Sequence, residues 1–168
     1  MELSEAPVLD KVKPGFKKTE VGVIPEDWEV LKLRSQCQLI TKGTTPTSIG
    51  RNFQQTGINF IKAETLTEDG GIVQAKVAFI DEETHRILGR SQLQENDVLF
   101  SIAGVLGRVA LVQSNLLPAN TNQALAIIRL ARGAKLDHGY LLRVLNGAAI
   151  RKHVEGINVQ AAQANLSL

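Results

Sequence analysis

Up to about residue 133 the apolar residues of this chain arrive in short bursts, each closed by a segment rich in Gly, Asn, Thr or Pro. Beyond Gly133 the rhythm changes, and Tyr140, Leu141, Val144 and Leu145 recur at helical spacing. Short strands followed by helices are the pattern of an α+β domain. The bursts Trp28–Leu33, Gln38–Thr41, Ile58–Ala63, Val77–Ile80 and Ala124–Leu130 are predicted as strands. Asp97–Ile102 and Arg108–Val112 flank a turn with two glycines, Gly104 and Gly107, and are predicted to form a hairpin. One helix interrupts the strands, from Asp81 to Leu88, with Asp81 as its N-cap. Asp137 is placed to cap the first C-terminal helix, and Ile150 with Val154 suggests a second short one, broken at Gly156. The expected fold is therefore a curved mixed β-sheet with one inserted helix and short C-terminal helices.

Residues 1–20 mix Lys11, Lys13, Lys17 and Lys18 with acids and Pro14-Gly15, show no period, and are predicted to be an extended or poorly ordered arm. Ile24–Trp28 reads as a turn that delivers Trp28 into a domain running from 21 to 168. Aliphatic side chains must fill the core, because aromatics are only 4% of the chain against 43% hydrophobic residues overall. No apolar run approaches the roughly 18 to 20 residues that a membrane-spanning helix requires. The acidic N-terminus lacks the basic and apolar segments of a secretory signal. A single cysteine, Cys37, forms neither an internal disulfide nor a zinc cluster. These features lead to the expectation of a cytoplasmic protein.

The net charge of +2 says little, but its distribution says more. Between Val30 and Ala63 there is no acid, while Lys32, Arg34, Lys42, Arg51 and Lys62 are basic. From Val98 to Leu136 the only charges are Arg108, Arg129, Arg132 and Lys135. Acids concentrate between these stretches. If the two stretches meet in the fold they make a basic face with an acidic back, the electrostatic footprint of a polyanion binder. The alternative is that both are apolar strands with polar turns, which carry few acids in any case.

Groups for catalysis are sparse. His85, His138 and His153 are isolated, without the spacing of a metal site. Cys37 lacks the context of a nucleophile. Gly104–Gly107 is too short for a phosphate loop and is not followed by the required Lys and Ser/Thr. The nucleotide-binding fingerprint and the Asn-Pro-Pro-Tyr type of methyltransferase motif are missing too, so neither catalysis nor a cofactor is expected. What remains are polar loops suited to base edges. Lys42–Ser48 carries four hydroxyls, a cation and a glycine, and Asn120-Thr121-Asn122-Gln123 brings three carboxamides. Asn or Gln pairs bidentately with adenine, and Thr and Ser also reach base edges. Ordinary turn chemistry would use many of the same residues.

Several segments, in order, resemble one known family. Gly15-Phe16-Lys17-Lys18-Thr19-Glu20-Val21-Gly22-Val23-Ile24-Pro25-Glu26-Asp27-Trp28-Glu29-Val30 is similar to the opening of type I restriction-modification specificity subunits. Lys42-Gly43-Thr44-Thr45-Pro46 resembles that family's Gly-x-Thr-Pro loop. Gly57–Lys62 with Gly71-Ile72, Asn96–Gly104 with Gly107–Ala110, Asn120–Ala124 and Gln163–Ser167 continue the likeness to the chain's end. The resemblance implies an N-terminal target-recognition domain that reads one half of a split double-stranded DNA site and catalyses nothing. It implies, as partners, a DNA methyltransferase (modification) subunit that holds S-adenosylmethionine and a restriction subunit that moves and cleaves DNA. By the same likeness, residues 21–168 end where the family's long spacer helix would begin. The expected phosphate contacts are Lys42, Arg51, Lys62 and Arg108, and the expected base contacts are Thr44, Thr45, Asn120, Asn122 and Gln123. A second reading, from another class, makes Ile150–Leu168 a docking segment for a methyltransferase subunit or a second copy.

Overall fold

The structure, a computed structural model, describes residues 12–160. These fall into two compact units, the first reaching to Ser35 and the second starting at Gln36. In the first unit β1 (Phe16–Thr19) and β2 (Gly22–Pro25) form an antiparallel hairpin, in register from Phe16↔Pro25 to Thr19↔Gly22. Residues 16–19 of the expected arm are thus a strand, while residues 1–11 lie outside the described part. The strand predicted over Trp28–Leu33 does not form, because no described strand pairs with it and its apolar alternation is too short to stand alone. Trp28 is 56% exposed, which corrects the expectation that the turn before it delivers it to the interior.

In the second unit the order is β3 (Cys37–Lys42), β4 (Ile58–Ile61), β5 (Ala78–Ile80), α1 (Glu82–Ile87), β6 (Val98–Ser101) and β7 (Val109–Leu111). Then follow β8 (Ala119–Thr121), β9 (Leu125–Leu130), α2 (His138–Leu145) and α3 (Ala148–Gln160). The α+β class holds, with strands first, one inserted helix and helices at the end. Two sheets carry it here. A four-stranded antiparallel sheet has the order β3-β9-β6-β7, and a three-stranded sheet has the order β5-β4-β8, in which β4 and β8 run parallel. The predicted hairpin is β6–β7, in register from Val98↔Leu111 to Phe100↔Val109.

Alternation along the strands decides how the sheets bury their faces. Leu99, Ala110, Leu125 and Ile127 point to one side of the larger sheet and cluster with Ile61, Leu66, Leu93, Leu116 and Ala119. All four residues of β6 are buried, so its opposite face is covered too, and α2 packs against β6 and β7. Phe60, Ile80 and Leu88 form a second buried cluster on the smaller sheet. A fully buried Leu, Ile or Phe contributes about 1.5–3 kcal/mol relative to exposure. The aliphatic core anticipated from the scarcity of aromatics therefore lies between and around two small sheets.

Helix ends follow their caps. Asp81 Oδ1 accepts from the Thr84 amide at 2.6 Å, and Asp137 Oδ1 accepts from the amides of Gly139 and Tyr140 at 2.8 and 3.1 Å. α3 does not break at Gly156 but runs on to Gln160. A mid-helix glycine costs only about 1 kcal/mol against alanine, too little to end a helix that packing holds. That packing is visible at Val154, which is buried and sits where a Cβ on Gly107 would meet its Cγ1 at 3.3 Å. No helix among the described residues is long and apolar enough to cross a membrane.

Candidate nucleic-acid interface

The strand pairing brings the two acid-free stretches side by side. β3 lies against β9 with Lys42 opposite Ala126, and β4 lies along β8 with Ile61 beside Thr121. The loop leaving β3 and the loop joining β8 to β9 consequently emerge at the same sheet end. They are stitched together by Thr44 N–H donating to Thr121 O at 3.1 Å and Gly43 N–H donating to Leu125 O at 3.4 Å. The approach is so close that a Cβ on Gly43 would lie 2.0 Å from the Thr121 carbonyl oxygen, so only glycine fits there.

On this frame the predicted side chains meet. The Thr45 hydroxyl is hydrogen-bonded to the Gln123 carboxamide oxygen across the two loops. Asn122 Oδ1 accepts from the Ala124 amide at 3.2 Å and shapes the turn into β9. Lys42 and Gln123 are exposed, and Thr44, Thr45 and Asn122 are half-buried. After Thr45 the chain makes a 3₁₀ turn, Pro46–Ile49, closed by Gly50 at φ 74°. The Ser48 hydroxyl donates back to Thr45 O at 2.7 Å. The cluster is thus held before any ligand arrives.

One member was not visible in the sequence. Arg90, exposed on the short 3₁₀ turn Gly89–Ser91, extends Nη2 to 3.4 Å from Thr44 Oγ1. It lies among the acids that separate the two acid-free stretches, so charge patterning did not single it out. Only the folding of that segment over the smaller sheet brings it here.

The remaining predicted residues are placed differently. Asn120 is fully buried in β8, with its carboxamide oxygen bonded to His85 Nδ1 and its Nδ2 donating to Leu88 O at 3.1 Å. It is a structural residue out of reach of a base edge, which corrects its assignment as a base contact. The segment Ala119–Thr121, expected as loop, is a strand because β4 supplies a parallel partner. Arg108 donates from Nη1 to Leu66 O at 2.7 Å, with Nη2 3.6 Å from Glu68 Oε1. It braces segment 66–68 and does not join the Thr44–Gln123 cluster.

Arg51 and Lys62 each hold an acid. Arg51 Nη1 is 2.7 Å from Glu83 Oε2, and Lys62 Nζ is 2.9 Å from Glu64 Oε1. The hydrogen bond to Glu83, and then its charge, raise the Arg51 guanidinium above its ordinary value, and the same bond holds Glu83 below the usual carboxylate range. Burial pushes Glu64 up, but the hydrogen bond from Lys62, the backbone, and the charges of Lys62 and Lys76 outweigh it. Solvent-screened pairs of this kind add little to stability, so a phosphate can displace the acid. Arg129 is not available in this way. Its Nε and Nη2 grip Asp97 at 2.7 and 2.8 Å, with Asp97 fully buried. Among the described residues no group of three or more His, Cys, Asp or Glu could hold a metal ion.

An α+β domain with two polar loops hydrogen-bonded together at one sheet end is the class that the structure defines. Known proteins narrow that class. No family model matches the chain. Over 86 residues it is 34% identical to the type I restriction enzyme MjaX specificity subunit of Methanocaldococcus jannaschii, covering 51% of this chain and 19% of that protein. Over 91 residues it is 36% identical to the tRNA modification GTPase MnmE of Mycoplasma genitalium, covering 49% of this chain and 20% of that one. The crystal structure of the HsdS subunit from Thermoanaerobacter tengcongensis superposes with a TM-score of 0.56 at 21% identity, over 79% of this chain and 30% of that chain. A chain from a structure of type I R-M system assembly and conformational transition matches with a TM-score of 0.51 at 15% identity, over 96% of this chain and 33% of that one. The two solved neighbours show the fold that this chain shares. The chain has the fold of a specificity-subunit domain, and the resemblance drawn from its motifs is borne out. It spans about a fifth of the curated relatives and about a third of the solved chains.

Proposed function

We propose that this chain, with residues 21–168 as its target-recognition domain, reads one half of a bipartite site on double-stranded DNA as part of a type I specificity subunit. The observation that carries the reading is the convergence of the two acid-free stretches into one hydrogen-bonded cluster around Thr44, Thr45 and Gln123. In this reading Lys42, Arg51, Lys62 and Arg90 engage phosphates, which fixes register without carrying sequence information. Thr44, Thr45, Asn122 and Gln123 then meet base edges in the major groove, where each base pair shows a distinct pattern of donors and acceptors. The chain recognises and does not catalyse; methyl transfer and cleavage belong to the modification and restriction subunits it would serve.

The test is fluorescence anisotropy of the full chain with labelled random-sequence duplexes at low salt. Saturable binding, weakened by alanine at Arg90 or Lys42, is the expected result. A folded sample that binds no duplex at about 50 mM salt overturns the reading, because the phosphate attraction is strongest there.

A further inference from the structure

Between the Thr44–Gln123 cluster and β4 the chain runs through Asn52-Phe53-Gln54-Gln55-Thr56, an acid-free segment exposed throughout. It is nevertheless fastened. Gln54 N–H donates to Phe79 O at 2.8 Å, Arg51 N–H donates to Pro46 O at 3.0 Å, and a Cβ on Gly57 would meet Ile80 O at 2.5 Å. Phe53 is 38% exposed, a large apolar side chain among amides and hydroxyls. Its ring packs edge-on against the fully buried Phe60, with centroids 5.2 Å apart and planes at 73°. Lys62 Nζ lies 5.8 Å from the ring centroid on one face. Lys62 directly follows Ile61, the residue beside Thr121, so the strand end that carries this cation runs alongside the one that leads into Asn122. Packing against the interior accounts for part of the ring, but not for its exposed remainder within a pinned polar loop.

Resting on the DNA-binding reading above, we propose that Phe53 is a specificity residue that recognises thymine through its 5-methyl group in the major groove. The methyl is the apolar mark that distinguishes thymine there, and Phe is one of the side chains suited to meet it. Insertion between base pairs is the other use of an apolar side chain on DNA. With Lys62 over one face and Phe60 against the ring, Phe53 has no two free faces for stacking, and its exposed part is what a methyl can touch. Lys62 is placed to hold the neighbouring phosphate in exchange for Glu64.

The experiment starts from a random duplex pool enriched on the full wild-type chain. Each thymine of the enriched site is then replaced singly by uracil, which removes only the methyl group. Wild type should lose about fourfold in affinity at one position, the transfer value of one buried methyl group. Phe53→Ala should bind the thymine and uracil duplexes equally. In the unaltered protein, 5-iodouracil at that position should photocross-link to Phe53, a readout independent of whether the variant folds. Enrichment of a site in which no thymine-to-uracil change matters, or a cross-link mapping elsewhere, overturns the role of Phe53 and leaves DNA recognition standing. A pool that yields no enriched site overturns both.

Discussion

Among single residues, Asp97 shows how far a local charge reading carries. Arg129 belongs to an acid-free stretch and reads from sequence as one more cation for a polyanion. In the fold it is spent on Asp97, which also accepts from the Gln94 amide at 2.8 Å, while Arg129 Nη2 reaches Gln92 O at 3.3 Å. The pair ties the segment before β6 to β9 inside the protein. Removing one partner of a buried ion pair leaves an uncompensated charge and costs about 3–5 kcal/mol. Asp97→Ala is therefore expected to lower unfolding free energy by about that amount in urea titrations. The double replacement Asp97→Leu with Arg129→Met should recover much of it, because no buried charge is left. A double variant as unstable as the single one would show that the pair's geometry, rather than its neutralisation, matters there.

Elements written in local signals were legible in the sequence. α1 begins at the predicted cap because the Asp81 side chain satisfies an amide three residues on, and the β6–β7 hairpin forms because two apolar runs flank a glycine turn. β8 was not legible: Ala-Asn-Thr has the composition of a loop and becomes a strand only because β4 lies parallel to it. The same limit explains the site. Both loops could be read as polar and acid-free, but their meeting depends on pairings between residues 84 to 93 positions apart, from Lys42↔Ala126 to Cys37↔Leu130, and Arg90 depends on where α1 carries its successor turn. The cap also makes a pH prediction. The Thr84 amide holds Asp81 below the usual carboxylate range against the opposing effect of burial. A carboxylate depressed in the fold adds stability above its unfolded value, about 4, and that stability is lost as pH falls through the lower folded value. Glu64, Asp69 and Glu83 are depressed in the same direction. The thermal midpoint should stay level above about pH 5 and fall on acidification below 4. Asp81→Asn keeps a capping oxygen but removes one titration, so its profile should be shallower than that of wild type.

Across the whole molecule, the near-neutral net charge of +2 is what makes the arrangement informative. A protein binding DNA through a general positive field would show it in composition, whereas here selected cations are gathered by folding and two are balanced by their own acids. If Lys42, Arg51, Lys62 and Arg90 each displace one counterion, log affinity should fall against log salt with a slope of about −3 to −4. Alanine at any of the four should reduce that slope by about one unit. The acids give the sharper test. Glu64→Gln and Glu83→Gln keep side-chain size while freeing Lys62 and Arg51 of a competing charge. Both are expected to tighten binding to any duplex at low salt, with the gain fading as salt rises and without changing which sequence is preferred. A change of preferred sequence on Glu64→Gln would instead mean that Glu64 itself meets a base, since an acid can accept from the cytosine amino group. Salt titrations of the two variants on matched and scrambled duplexes separate these outcomes, because phosphate contacts shift both curves together and a base contact shifts only one.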